Sequence, residues 1–170
     1  FWLEDAVPAE LQEAFRLVRS HTTTPLALGE VMTTIHDCQL LLREGLIDYL
    51  RMAPTHGGGL SALVKIAHVA ELFHVRTGCH GPSDISPIGF AAALHFGLAI
   101  HNFGIQEHMG HPPEAARVFR TSHRREGAFL HPGTAPGLGV EVDETEAARH
   151  PYVPAYLPTA RGEDGTVWSW

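Results

Sequence analysis

Residues 24–30 read TPLALGE, a short apolar run opened by Pro25 and closed by Gly29 and Glu30, which describes a buried strand that delivers a carboxylate at its carboxyl end. The same design recurs on both sides. Upstream stands FWLED (residues 1–5), and downstream follow IDYLRM (47–52), VRTGCH (75–80) and LAIHNFGIQE (98–107). Between these runs the apolar positions take helical spacing. Residues 8–20 place Leu11, Phe15 and Val18 on one stripe, 34–46 form a second helix ending near Gly45, 60–74 align Leu63, Ile66, Ala67, Ala70 and Phe73, and 87–96 form an Ala-rich fourth. Strands alternating with helices imply parallel βαβ units, because parallel neighbours need a crossover and the crossover is usually a helix. The fold class is α/β.

The expected strands close on Glu4, Glu30, Arg51, His80 and Glu107, at intervals of 21 to 29 residues. In a parallel barrel all carboxyl strand ends face one rim, where active sites are built. Polar strand ends also occur simply where a chain leaves the core, but five in series, three of them carboxylates, point to a shared mouth. A doubly wound open sheet would want a G-x-G-x-x-G turn after an early strand. The one Gly cluster, Gly57-Gly58-Gly59, follows the third strand without that spacing. A β/α barrel takes about eight strands and roughly 250 residues. Five strands and a first residue that is Phe rather than Met therefore lead to the expectation that the chain is the C-terminal portion of a longer protein. Residues 1–110 would be barrel strands four to eight with their helices. Residues 111–170, rich in Gly and Pro, would be a mostly irregular tail packed on the barrel or on a further domain.

Composition narrows the function classes. The 170 residues carry 12 Lys+Arg against 19 Asp+Glu, a formal net charge of −7, with no basic run to serve as a nucleic-acid footprint. The apolar stretches break well before the ~20 residues a bilayer span needs, and no signal-peptide pattern opens the sequence. A cytoplasmic location is expected. Two cysteines, Cys38 and Cys79, are too few for a disulfide framework.

Glu4 and Glu30, on consecutive strand ends, offer hard oxygen ligands of the kind that hold Mg²⁺. A third carboxylate would be asked of the strand before Glu4. The rival is a zinc or iron site built from the 13 histidines, for example His108 with His111, or Cys79 with His80. Neither CxxC nor HExxH occurs to support it. Arg51 can offer a planar donor fork to substrate oxygens, or merely neutralise Glu30 or Glu107. His80 can exchange protons near neutral pH, or be a hydrogen-bonded packing residue. Asp84 can accept from hydroxyls, or form a turn or cap before the helix at Pro87. Cys79 reads as a buried neighbour, and His21, His36, His68, His74, His95, His123 and His150 as helix-surface or loop residues.

The segments FWLEDAVPAE, TTTPLALGE, RTGCHGPSDISP, NFGIQE and HPGTAPGLGV resemble the mannonate dehydratase family of acid-sugar dehydratases, within the enolase superfamily. The resemblance runs along essentially the whole chain. It implies a (β/α)7β barrel preceded by a capping domain, a homo-oligomer, and Mg²⁺-assisted loss of water from D-mannonate, D-gluconate or a relative to give a 2-keto-3-deoxy acid. It also implies that Glu4 and Glu30 are the second and third metal ligands, with Glu30 beside the substrate. Arg51, His80, Asp84, Glu107 and the terminal Trp170 match substrate-binding positions, and His80 a catalytic one. The family's proton-abstracting tyrosine and supporting arginine, its first metal ligand and the histidine beside it match nothing in these residues. Two other readings stay open: a non-catalytic metabolite-binding homologue, and a racemase or cycloisomerase. Many superfamily relatives place a lysine or a His-Asp pair on late strands as base. Here the sixth barrel strand offers Arg51, and the sole lysine, Lys65, lies in a helix.

Overall fold

A computed structural model describes residues 1–154 and 161–166. Five parallel strands, β1 (Leu3–Glu4), β2 (Leu26–Leu28), β3 (Tyr49–Leu50), β4 (Arg76–Cys79) and β5 (Phe103–Gln106), lie side by side in chain order. Leu3 pairs with Leu26, Ala27 with Tyr49, Leu50 with Thr77 and Cys79 with Gln106. The crossovers are helical: a 3-10 helix (Ala9–Ala14) running into α1 (Phe15–His21), then α2 (Gln39–Arg43), α3 (Gly59–Leu72) and α4 (Pro87–Ala99). Leu26 and Leu28 of β2 and Leu50 of β3 point to the helix side, where they bury against Phe15, Leu41, Ile66 and Phe96. Alternation then turns Tyr49 to the opposite face, where its ring centroid lies 4.9 Å from that of Trp2.

One irregularity decides where the last strand aims its side chains. Thr77 pairs with Phe103 but Gly78 pairs with Ile105, so Gly104 is an extra residue bulged from β5. Phe103 thus packs toward Gly97 of α4, while Ile105 faces Trp2 across Gly78. Without the bulge, Phe103 and Glu107 would share a face; with it, Glu107 joins the Trp2 face.

The bounds of several elements differ from those the sequence patterns imply. Residues 8–20 are not one helix, because Leu11 (φ −99°, ψ 43°) breaks it. In 34–46 the α-helix proper is only Gln39–Arg43. Leu98 and Ala99, expected to begin the fifth strand, finish α4 instead, since the apolar run crosses the helix end with no polar residue to mark it. Ser86 caps α4, accepting from Gly89 N–H at 3.1 Å with Pro87 at the first helical position, so the cap is not Asp84.

The stretch after Glu107 is more ordered than expected. After α5 (Ala115–Val118), β6 (Phe119–Thr121) pairs antiparallel with β9 (Val140–Val142), and β7 (Arg124–Glu126) with β8 (Phe129–His131). The Gly127-Ala128 loop of the second pair has Gly127 at φ 59°, the left-handed backbone that tight hairpins need. α6 (Glu144–Ala147) follows, capped by Asp143. No helix among the described residues is long and apolar enough to cross a membrane.

Candidate active site

The carboxyl ends of the five strands bring Glu4, Glu30, Arg51, His80 and Glu107 into one continuous chain of contacts. Arg51 stands at its centre, only 3% exposed. Its Nε donates to Glu4 Oε1 at 2.6 Å, Nη1 to the Gly78 carbonyl at 2.6 Å and Nη2 to Glu107 Oε2 at 2.6 Å. Each of its three nitrogens therefore donates to the protein itself. The alternative in which Arg51 neutralises carboxylates describes this geometry, with Glu4 taking the place foreseen for Glu30. Burial disfavours the guanidinium charge, but the bonds to Glu107 and Glu4 outweigh it and hold its pKa above the ordinary value.

Glu107 accepts a second bond on Oε2, from Gly81 N–H at 2.8 Å. A Cβ on Gly81 would sit 2.2 Å from the Glu107 carbonyl oxygen, so only glycine allows this approach. Partial burial works to raise the Glu107 pKa, yet the Gly81 N–H and Arg51 prevail and lower it.

On the other side of Glu4 lies a carboxylate cluster: one oxygen each from Glu4, Asp5 and Glu30 lies within 4.8 Å of the others. Asp5 is the residue that sequence reasoning missed. Successive strand residues point to opposite faces, which would have sent it away from Glu4. Instead Asp5 adopts φ 45°, a left-handed conformation that Asp tolerates, and the chain turns its carboxylate back toward the rim. Although the residue as a whole is exposed, loss of solvent at its carboxylate, and then Glu30 and Glu4, push its pKa up to about 6. Three hard oxygen donors crowded against one another fit a divalent cation such as Mg²⁺.

His80 lies with Nε2 3.5 Å from Glu30 Oε2, while its Nδ1 is buried without a hydrogen-bond partner among the described residues. Its ring stacks near that of His56, with centroids 6.4 Å apart. His56, in the loop after β3, also escaped the sequence reading, for an exposed histidine in a Gly-rich turn carries no periodic signal.

Asp84 sits in an exposed turn beyond β4. Trp170 lies outside the described residues. Among the described residues the histidines of the zinc alternative join no group of three metal-capable side chains: His108 and His111 pack on the Phe90 ring, at 4.9 and 5.9 Å, and His111 Nε2 bonds the Ile85 carbonyl at 2.8 Å. Cys79 is buried, which pushes its thiol up to about 12, far from a thiolate ligand. His123, read as a loop residue, also packs against Phe90, at 5.3 Å.

Comparison with known proteins places this geometry. The family model described as Enolase C-terminal domain-like matches residues 1–146. A D-mannonate dehydratase of Caulobacter sp. (strain K31) is 58% identical over all of this chain and 42% of its own length. A D-galactonate dehydratase family member of Chromohalobacter salexigens is 55% identical, again over 42% of its length. The crystal structure of an enolase from Pantoea ananatis with bound D-gluconate and Mg superposes with TM-score 0.91 at 37% identity, over 98% of this chain and 41% of that one. The chain thus spans about two-fifths of the length of the proteins it matches. Its parallel βα sheet is of the enolase-superfamily barrel type, and the chain belongs to the Enolase C-terminal domain-like family.

Proposed function

We propose that this chain forms part of a longer Mg²⁺-dependent acid-sugar dehydratase that acts on D-mannonate or its epimer D-gluconate. The observation that carries the reading is the convergence of Glu4, Asp5 and Glu30 within 4.8 Å, beside His80 and the Arg51–Glu107 pair. Relatives named as D-mannonate dehydratase and a structural neighbour with bound D-gluconate and Mg support the substrate class.

In this reading Glu4, Asp5 and Glu30 hold the cation. When bound, it supplies positive charge that stabilises the negative charge developing on a substrate carboxylate as the adjacent proton leaves, as the handling of such carbanions in enolase-type sites requires. His80 faces the cluster through Nε2. From there it gives a proton to the departing hydroxyl, so that the C–O bond breaks with release of water. The proton next to the carboxylate goes to a base from the remainder of the protein. Loss of that proton and of the hydroxyl together removes one water, and the resulting enol becomes the 2-keto-3-deoxy acid. Glu107 spends Oε2 on Arg51 and Gly81, which leaves Oε1 to accept from a sugar hydroxyl. Asp84 accepts from substrate hydroxyls, Trp170 is assigned to the substrate from the family resemblance alone, and the whole protein would be a homo-oligomer in the cytoplasm.

The test is turnover of a panel of six-carbon sugar acids by the full-length protein with Mg²⁺, read as the semicarbazone of the product. D-mannonate or D-gluconate should give a 2-keto-3-deoxy acid. No product from any member of the panel would overturn the reading in favour of a non-catalytic homologue.

A further inference from the structure

Glu4 has its two carboxylate oxygens held by two different donors. Arg51 Nε binds Oε1 at 2.6 Å, and the indole Nε1–H of Trp2 binds Oε2 at 2.8 Å. We infer that Trp2 is a positioning residue that fixes the Glu4 carboxylate for cation binding, an inference that rests on the reading of Glu4, Asp5 and Glu30 as the cation site.

The need for such a device follows from the charges. Three carboxylates within 4.8 Å repel one another, and Glu4 is the one of the three that bonds directly to a buried guanidinium. Held by Arg51 only, the Glu4 carboxylate can pivot about that one bond, away from Asp5 and Glu30 and toward the positive charge. A second donor on the other oxygen fixes the carboxylate plane. Each oxygen keeps a further lone pair, so a ligand atom remains for the cation. A neutral donor suits this place better than a second cationic one, because it orients the ligand without repelling a metal ion.

Trp2 is itself held from several sides. Its ring lies 5.2 Å from the Arg51 guanidinium carbon, and 4.9 and 5.0 Å from the Tyr49 and Phe1 rings. Its far edge fills the space over Gly78: a Cβ there would stand 3.0 Å from Trp2 Cη2 and 3.3 Å from Cζ3. The absence of a side chain at Gly78 thus sets how deep the indole sits, and with it the reach of Nε1 to Glu4. Partners that orient metal ligands in this way typically contribute about 10- to 100-fold in metal affinity.

The experiment is titration of the full-length protein with Mn²⁺, read by electron paramagnetic resonance of the free ion, for the natural protein, Trp2→Phe and Gly78→Ala, together with the denaturation midpoint of each without metal. Trp2→Phe keeps an aromatic ring against Tyr49 and removes the N–H. Mn²⁺ affinity should fall about 10-fold or more in Trp2→Phe and by a smaller factor in Gly78→Ala, where the ring shifts by a few tenths of an ångström. Loss of metal affinity with an unchanged metal-free midpoint supports a positioning role over a merely structural one. Unchanged affinity in Trp2→Phe overturns the inference and leaves the cation site standing. Should Trp2→Phe fail to fold, unchanged affinity in Gly78→Ala overturns it instead. A natural protein that binds no Mn²⁺ overturns the cation-site reading and this inference with it.

Discussion

Arg51 and Glu107, 56 residues apart in sequence, meet at 2.6 Å across the carboxyl ends of β3 and β5, and the same guanidinium reaches Glu4 at the end of β1. One buried cation thus ties three strand ends of the sheet into a single rim. The half-buried Glu107 carboxylate and the carbonyl of Gly78 depend on it for compensation, and so does the cation-side carboxylate Glu4.

Arg51→Met should leave Glu4 and Glu107 without their shared positive partner. Removing one side of a buried ion pair costs about 3 kcal/mol. The expected outcome is a lower urea midpoint at pH 7 with an unchanged slope. Arg51→Lys should recover only part of the loss, since an ammonium cannot copy the planar fork.

Glu107 gives that pair a pH signature. Its folded pKa lies below the ordinary 4.5, so its contribution to stability is complete above about 4.5 and is lost as pH falls through the folded value. Stability of the natural protein should therefore decline on the acid side below about pH 4.5, and Glu107→Gln should show a shallower decline in the same window in a series of denaturation curves.

A second acid-sensitive group lies outside the rim. His108, His111 and His123 surround the Phe90 ring. Burial, then Arg125 and His111, lower the pKa of His108; burial, then His108 and His111, lower that of His123. A lowered histidine pKa means stability that is present above the ordinary 6.5 and lost as pH falls below it. Chemical shifts of the Phe90 ring should change as pH falls through the lowered folded values, and His123→Gln should remove part of the stability loss that sets in below about pH 6.5.

Ser86→Ala should lower stability by about 1 kcal/mol, because the Gly89 N–H loses its acceptor at the start of α4. Asp84→Ala, two residues earlier in an exposed turn, should leave stability within about 0.5 kcal/mol while weakening substrate binding. Thermal melts and a KM measurement on the two variants separate cap from binding residue.

Asp5→Asn should weaken Mn²⁺ binding and at the same time raise the metal-free melting temperature, since it removes one of three mutually repelling carboxylates. A structural carboxylate would lower the melting temperature instead.

The rim was readable because each strand is a short apolar run with a polar residue at its end. Glu4, Glu30, Arg51, His80 and Glu107 could be aligned by that feature alone, and the geometry brings all of them together. What escaped depends on local backbone that periodicity does not encode. Asp5 turns to the Glu4 side only through its left-handed φ, and Glu107 faces Arg51 only because Gly104 bulges. Trp2 read as one more apolar residue of its strand, with nothing to announce that its N–H is spent on Glu4. The three-residue strands β7 and β8 are too short and too polar to show alternation, whereas the GVEVDE stretch that holds β9 does look strand-like in sequence. The donor fork of Arg51 and its pairing with Glu107 could be foreseen, but Glu4 as the second carboxylate, in the place of Glu30, depended on burial that a sequence does not display.

The most direct test of the central claim is dehydration of D-mannonate and D-gluconate by the full-length protein before and after removal of divalent metal with EDTA, with Glu30→Gln in parallel. Conversion of at least one of the two to its 2-keto-3-deoxy acid, abolished by EDTA, restored by Mg²⁺ and lost in Glu30→Gln, is the expected result. Undiminished turnover in the metal-free protein or in Glu30→Gln would contradict the assignment of Glu4, Asp5 and Glu30 as the cation site of a sugar-acid dehydratase.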